Sequence, residues 1–449
     1  MNREHFLKTC AAFGSGFLLN PVSSAASLNT SGKSLRVGFV GTGSRGLAII
    51  RNLLKIEGLQ IPAICDINET NLMRANDYII NAGHKNPDLY SRNETDFMRL
   101  CDRKDLDVVF TATPWEWHTP VCLSAMNAGK HAATEVPAAT TVDECWQLVE
   151  TSERTGLYCT TLANVAYYKN VMTVTKMIHA GIFGDMLHAE VGYQHDIRPG
   201  RFNNNTLKYY NETGQAHWRV RHHEKREGNL YPIHPVGCVA QWMGINRGDR
   251  FSYLVSMSSP SKGLNVFAAR EFGEDHPLAK REYAHGDINT TLIKTAKGLT
   301  ITLYHDCATY RPYDLILRVQ GTEGIYSGSH NGIYIHGISP QEDRFHYQYE
   351  NFDDAEFVKK YTPALWNELG EKAKGSGHGG GDFMVIYRFI EAVRNRINPD
   401  IDVYDSASWS VISELSGRSV REGSRPVDIP DFTKGAWKHR NMNDSVFVK

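Results

Sequence analysis

The chain has 449 residues, with 49 Lys+Arg against 50 Asp+Glu. That even balance excludes the electrostatic footprint of a nucleic-acid binder or of a protein drawn to an anionic membrane. Hydrophobic residues at 41% and aromatics at 10% supply enough apolar surface for folded cores and exclude a disordered chain; the length suits about two or three domains.

Residues 1–30 differ from the rest. Arg3 and Lys8 make a positive start, Ala11–Leu19 is a short apolar stretch, and Ser24-Ala25-Ala26 offers a small-residue cleavage site. This is the layout of an export signal, and it is too short for a stable span. The run Arg3-Glu4-His5-Phe6-Leu7-Lys8 resembles a twin-arginine signal, with Glu4 standing where the second Arg belongs. The expectation is a leader over 1–30 and an exported, periplasmic protein, the alternative being a cytoplasmic one. No later run approaches the roughly 18 apolar residues of a membrane helix.

The next 130 residues predict a dinucleotide-binding domain, 34–163. Leu35–Val40 is an apolar run of buried-strand length, followed at once by Gly41-Thr42-Gly43-Ser44-Arg45-Gly46 and then by Leu47–Lys55, apolar at helical spacing. Set between strand and helix, GxGxxG has a mechanical reading. Gly41 permits the tight turn, Gly43 the approach of a pyrophosphate and Gly46 the close packing of helix on strand. The helix start then offers unpaired N–H groups to the phosphates. The second strand, Leu59–Cys65, ends at Asp66, placed to take ribose hydroxyls and to repel a 2′-phosphate, so NAD is expected over NADP. Further on, helices are expected at Asn68–Ala82, Glu94–Arg103, His118–Ala128 and Val142–Thr155. Strands are expected at Leu106–Thr113, Lys130–Glu135 and Leu157–Leu162. This alternation gives a doubly wound parallel sheet, an α/β Rossmann domain. Ligands on such sheets sit at the carboxyl ends of the strands. Asp66, Thr113–His118 (with Trp115, Trp117 and His118), Glu135-Val136-Pro137 and Ala163-Asn164 all fall there. Trp115 and Trp117 suit packing as well as cofactor contact.

Residues 164–449 read as an α+β domain with a largely antiparallel, open sheet. A helix is expected near Val171–Ala180, and strands at Met186–Gln194, Phe251–Met257, Asn289–Thr295, Leu299–Tyr304, Arg318–Gln320 and Gly332–His336. One sheet face is left free for a ligand or partner, and a homo-oligomer is expected. The polar, basic stretch Asn203–Lys225 reads as a loop. Neither a helical HExxH nor a tight His/Cys cluster appears, so no metal is expected. The eight cysteines show no CxxC pair and read as small buried residues. GxSxG is also missing, which argues against a serine hydrolase.

These segments together resemble the Gfo/Idh/MocA oxidoreductases and, more narrowly, glycoside hydrolase family 109, the NAD-dependent α-N-acetylgalactosaminidases. The resemblance runs from about Ser34 to Trp437. It is carried by GFVGTGSRG, ICD, TATPWEWH, EVP (135–137), YxHD (193–196), WR (218–219), GNLYPIH (228–234), RPY (311–313), RVQGTEG (318–324), HGGGDF (378–383) and DVYDSASWS (402–410). Two departures stand out. Val136 replaces the Lys that superfamily dehydrogenases carry after this Glu, which weighs against plain net oxidation. Ala163 stands where the hydrolase family favours Glu, which loosens the expected sugar specificity.

The resemblance implies a small-molecule glycoside as substrate and a redox-neutral cycle on tightly held NAD: oxidation at C3, loss of the C2 proton, departure of the C1 oxygen, water addition and re-reduction. It implies Tyr193 as the C2 base and His234 as the group assisting at C1. Arg219, Tyr231 and Tyr313 are implied as substrate ligands. Gly41, Gly43, Ser44, Arg45, Gly46, Asp66, Trp115, Trp117, His118, Glu135, Val136, Asn164 and Tyr231 are implied as the cofactor set. A phenol needs a neighbouring cation, such as Arg219 or the nicotinamide, to serve as a base at neutral pH. His195-Asp196 and His305-Asp306 read as structural hydrogen-bonding pairs. The alternative function is a net NAD-dependent sugar oxidoreductase.

Overall fold

The computed structural model describes residues 34–198, 215–341, 343, 345–442 and 445–448. The leader over 1–30 and the part of the 203–225 stretch up to 214 lie outside the described residues. The chain forms two compact units. The first takes the described residues up to Leu162, together with Gly375–Gly377 and Asp382–Ala407; the second takes Ala163–Lys374, His378–Gly381 and the residues from Ser408 onward. The sequence reading assigned all of 164–449 to the second domain. Two late pieces instead belong to the first unit: the Ser376 carbonyl accepts from Asn52 Nδ2 at 2.9 Å, and Phe389 meets Phe110 edge to face with ring centroids 5.9 Å apart.

The first unit is built on six parallel strands: β1 (Leu35–Val40), β2 (Leu59–Cys65), β3 (Asp88–Tyr90), β4 (Val108–Thr111), β5 (His131–Thr134) and β6 (Cys159–Thr161), in the order β3-β2-β1-β4-β5-β6. The order reverses between β1 and β4, which makes the carboxyl ends of those two strands the ligand crevice. Helix starts follow local chemistry. Asn68 accepts a bond from the Asn71 N–H at 3.0 Å to open Glu69–Asn81. Thr141 does the same for Glu144 at 3.2 Å, opening Val142–Thr155, which closes on Gly156. One helix begins earlier than its periodicity suggests: Trp115–Asn127 follows directly from Pro114, so Trp115, Glu116 and Trp117 form its first turn.

The second unit carries nine strands: β7 (Met186–Gln194), β8 (Phe251–Ser258), β9 (Ile288–Thr295), β10 (Thr300–Asp306), β11 (Arg318–Gly321), β12 (Gly324–Ser327), β13 (Gly332–Ile335), β14 (Glu350–Asn351) and β15 (Val427–Asp428). Their order is β14-β13-β12-β11-β7-β10-β9-β8-β15. Every pairing is antiparallel except β7 with β10, which run parallel and set Tyr193 opposite His305. β9 alternates inward Asn289, Thr291, Ile293 and Thr295 with outward Ile288, Thr290, Leu292 and Lys294. Gln215–Lys225, expected as loop, is a helix, and so is Ile233–Trp242, which opens with the His234 turn. Helices at Gly263–Phe272, Ala364–Ala373, Gly381–Asn395 and Val403–Arg421 complete the framework.

Candidate active site

In the first unit the glycine-rich turn is shaped by contact. Gly41 holds φ +87°, and a Cβ there would lie 2.7 Å from the Thr113 nitrogen, so only glycine lets the turn after β1 press against the end of β4. A Cβ on Gly46 would overlap the Gly41 carbonyl oxygen. Gly43 precedes helix Ser44–Leu53, which has no side-chain cap, so its first N–H groups face the crevice without a competing side chain. Asp66 is locked to this turn: its carboxylate accepts from the Thr42 N–H at 2.7 Å and the Asn68 N–H at 2.8 Å. Desolvation pushes its carboxyl above the usual range, against the pull of those N–H donors. An uncapped helix start, two glycines that no other residue can replace and an acid held at the end of β2 fit a dinucleotide.

Arg45 does something the motif alone does not show. Its guanidinium takes both oxygens of Asp382, at 2.7 and 2.9 Å, and Glu135 at 2.6 Å. One cation between two carboxylates stays charged at any accessible pH, since both partners hold the guanidinium above its ordinary value. Arg45 therefore clamps the phosphate turn to the strand end at Glu135 and to Asp382 in the first turn of helix Gly381–Asn395. Glu135 also accepts the Val136 N–H at 3.2 Å, and Val136, buried and apolar, fills the place of the missing Lys. His118 is buried with Nδ1 2.6 Å from the Pro137 carbonyl and Nε2 2.8 Å from that of Thr113; both nitrogens are thus engaged with backbone. Trp117 packs edge-on against Phe97 at 5.9 Å, and Trp115 is buried. Asn164 and Tyr231 belong to the second unit. Asn164, fully buried, opens a 3-10 turn whose carbonyl abuts Gly381 so closely that a Cβ there would sit 2.5 Å away.

In the second unit the predicted substrate residues gather around one phenol. The Tyr193 ring lies 4.5 Å from Tyr231, 5.5 Å from His234 and 6.3 Å from Tyr313. Tyr231 and His234 are 5.0 Å apart, and the Arg219 guanidinium lies 6.0 Å from the Tyr231 ring. Asn229, not His234, closes the turn before the helix, accepting the Tyr231 N–H at 3.0 Å. Burial, then Tyr231, push the Tyr193 phenol well above its ordinary value; Arg219 pulls the other way and loses. Burial also raises Tyr313, half exposed at the rim.

Sequence reasoning missed three residues. Asp382 was visible only as part of a glycine-rich motif. His378 adopts φ +45° and brings its ring 6.3 Å from His234. His195 places Nδ1 3.1 Å from the Tyr193 hydroxyl and its ring 4.9 Å from Tyr313. The signal for His195 was present, because residues two apart on a strand share a face. Asp196 and Asp306 are structural. Asp196 is chelated by Arg198, and Asp306 accepts from the Ala308 and Thr309 N–H groups and from Arg311. Among the described residues no group of three or more His, Cys, Asp or Glu is placed to hold a metal, and no helix is long and apolar enough to cross a membrane.

Comparison with known proteins agrees with both halves. Residues 35–162 match the oxidoreductase family with an NAD-binding Rossmann fold, and residues 167–439 match the glycosyl hydrolase 109 C-terminal domain. The fold recurs in the levoglucosan dehydrogenase complex with NADH and levoglucosan, at TM-score 0.64 and 19% identity over 89% of this chain and all of that one. It recurs also in myo-inositol dehydrogenase from Lactobacillus casei, at TM-score 0.59 and 17% identity over 89% of this chain and 99% of the other. The molecule is thus an NAD-binding protein of the Gfo/Idh/MocA fold. Much nearer relatives are the α-N-acetylgalactosaminidase of Shewanella oneidensis, 41% identical over 98% of this chain and 97% of its own, and a family 109 protein of Shewanella pealeana, 42% identical over the same shares. The chain belongs to glycosyl hydrolase family 109 and is a glycoside hydrolase.

Proposed function

We propose that the protein is an α-N-acetylgalactosaminidase working by oxidation, elimination, water addition and re-reduction on one bound NAD. The observation that carries this reading is the ring cluster around Tyr193, assembled from the YxHD, YPIH and RPY motifs, together with a relative of that name. NAD, when bound, supplies a reversible hydride acceptor for the sugar C3, so the oxidation level is restored within each turnover. Tyr193 handles the proton at C2, which a neighbouring ketone acidifies. His234 sits in a first helical turn beside Tyr193 and Tyr231; imidazole chemistry suits it to protonate the departing C1 oxygen and then to orient water. Arg219, Tyr231 and Tyr313 orient hydroxyls and the acetamido group. In the first unit, the Arg45 clamp, Asp66 and the glycine turn hold the dinucleotide in register.

The test is an aryl α-N-acetylgalactosaminide turned over in D2O by the NAD-loaded protein. Release of the aryl alcohol without net reduced nicotinamide, and deuterium at C2 of the product, are expected. Steady accumulation of NADH without aryl release would transfer the protein to the net sugar oxidoreductases. Because Ala163 departs from the family pattern, a panel of α- and β-linked aryl glycosides tests the acetamido specificity separately. The outward row Tyr253, Met257, Ile288 and Leu292 on β8 and β9 supports a homo-oligomer, checked by light scattering. The leader supports export of the folded protein, checked by fractionation.

A further inference from the structure

We infer that His195 is the proton acceptor behind Tyr193, so that the C2 proton is removed by a Tyr193–His195 relay and not by a phenolate. The inference rests on the elimination reading above and deepens it. Its geometric basis is the 3.1 Å contact between the Tyr193 hydroxyl and His195 Nδ1, made by two residues on one face of the chain leaving β7. The contact is held from both sides. The His195 backbone N–H donates to the Asp306 carbonyl at 2.8 Å, and the Tyr313 ring stands edge-on to the imidazole at 4.9 Å.

A phenol desolvated and pushed upward, as Tyr193 is, holds its proton at neutral pH and offers almost no phenolate. It can still accept a proton from carbon if its own proton leaves in the same event. The balance is simple. The C2–H bond breaks and its electron pair stays on the sugar as an enolate. A new Oη–H bond forms on Tyr193 as the old one breaks, and that proton forms an N–H bond on His195 Nδ1. The relay uses the tautomer with Nδ1 as acceptor. After water addition the same path runs backward and returns a proton to C2, the one that carries solvent deuterium.

The imidazolium formed is tolerable where it stands. Asp196 adjoins it and interacts with it electrostatically, though Arg198 chelates that carboxylate. Asp306 lies across on β10, bound by Arg311, which also reaches Gln194. Tyr193 and Tyr313 cover the ring itself. Arg198 and Arg311 already hold Asp196 and Asp306, so the charge on the imidazolium is balanced by the enolate formed in the same step and disappears when the proton returns to C2. His195 acts through Tyr193 and does not touch the sugar, so it is a positioning residue.

The experiment uses the NAD-loaded protein and an aryl α-N-acetylgalactosaminide in D2O, with His195→Asn and His195→Gln. Asn keeps a hydrogen-bond acceptor near Nδ1 but cannot take a proton; Gln is the second variant should Asn fail to fold. For a folded, NAD-retaining variant, kcat and the C2 exchange rate are expected to fall about 100-fold or more. KM should change less than about threefold, and the acid limb of the wild-type pH profile should vanish. Reduced nicotinamide should still appear in a single turnover, because hydride leaves C3 before the C2 proton is removed. A folded variant with wild-type C2 exchange and the wild-type acid limb overturns the relay alone. Wild-type protein that cleaves substrate without C2 deuterium overturns the elimination reading and the relay with it.

Discussion

Replacing Asp382 by Ala removes the bidentate partner of Arg45 and leaves the guanidinium with Glu135 alone. The Asp382 side chain is 2% exposed and that of Arg45 23%, so the pair is poorly hydrated and its rupture is costly. Breaking a fully buried pair costs roughly 3–5 kcal/mol. Discounting for the exposed edge of Arg45 and for its surviving 2.6 Å bond to Glu135 leaves about 2–4 kcal/mol. In a unit of this size that is a drop in Tm of roughly 8 °C. Asp382→Asn, which keeps one acceptor but no charge, should lose about half as much. The clamp ends in the phosphate turn, so NAD affinity should fall as well, by about tenfold. Calorimetric melts of the NAD-free protein, with titration of NAD into each variant, read both quantities. If Asp382→Ala melted within about 2 °C of the parent and bound NAD equally well, desolvation would already cancel the pair, and the clamp would be neither stabilising nor a positioning device.

Gly46→Ala sets a methyl against the Gly41 carbonyl oxygen; the turn must move, and NAD binding by titration should weaken by at least about 100-fold while the second unit keeps its structure. Tyr193→Phe should lose turnover by about 10²–10⁴-fold with NAD retained; unchanged turnover would end its role. The His131 imidazole is pushed down to about 4 by burial, with Nδ1 accepting the Tyr158 N–H at 2.9 Å. A depressed histidine contributes stability above its unfolded value near 6.5 and loses it as pH falls toward 4. Denaturant titrations should therefore show about 2–3 kcal/mol lost over that window, a loss that His131→Asn, which does not titrate, should largely remove.

Much of the first unit was legible because its signals are local. A buried strand, three glycines and an acid 20 residues on are read within a short window, and the expected bounds of β1, β2 and helix Val142–Thr155 coincide with the observed ones. The second unit was less legible. The Gln215–Lys225 helix carries too many polar residues for an apolar stripe to mark it, and the Ile233–Trp242 helix is buried all round, so it shows little amphipathic contrast. Within the candidate site, motif resemblance points to Tyr193, His234, Tyr231 and Tyr313, whereas His195, next to an acid in sequence, reads as half of a structural pair until the packed strand sets it against the Tyr193 hydroxyl.

Residue order alone was enough to specify a dinucleotide turn, its preference for NAD and a sheet domain after it, because each is written in spacing over a few residues; the family came from the resemblance of its ordered motifs to known proteins. The packed chain settled three things that spacing cannot carry. It bound Arg45 to an aspartate more than 300 residues away, returned Asp382–Ala407 to the first unit, and raised Tyr193 while placing a histidine nitrogen against its hydroxyl. Each depends on which groups lose water together, and desolvation is a property of the assembled neighbourhood, not of any one stretch of sequence.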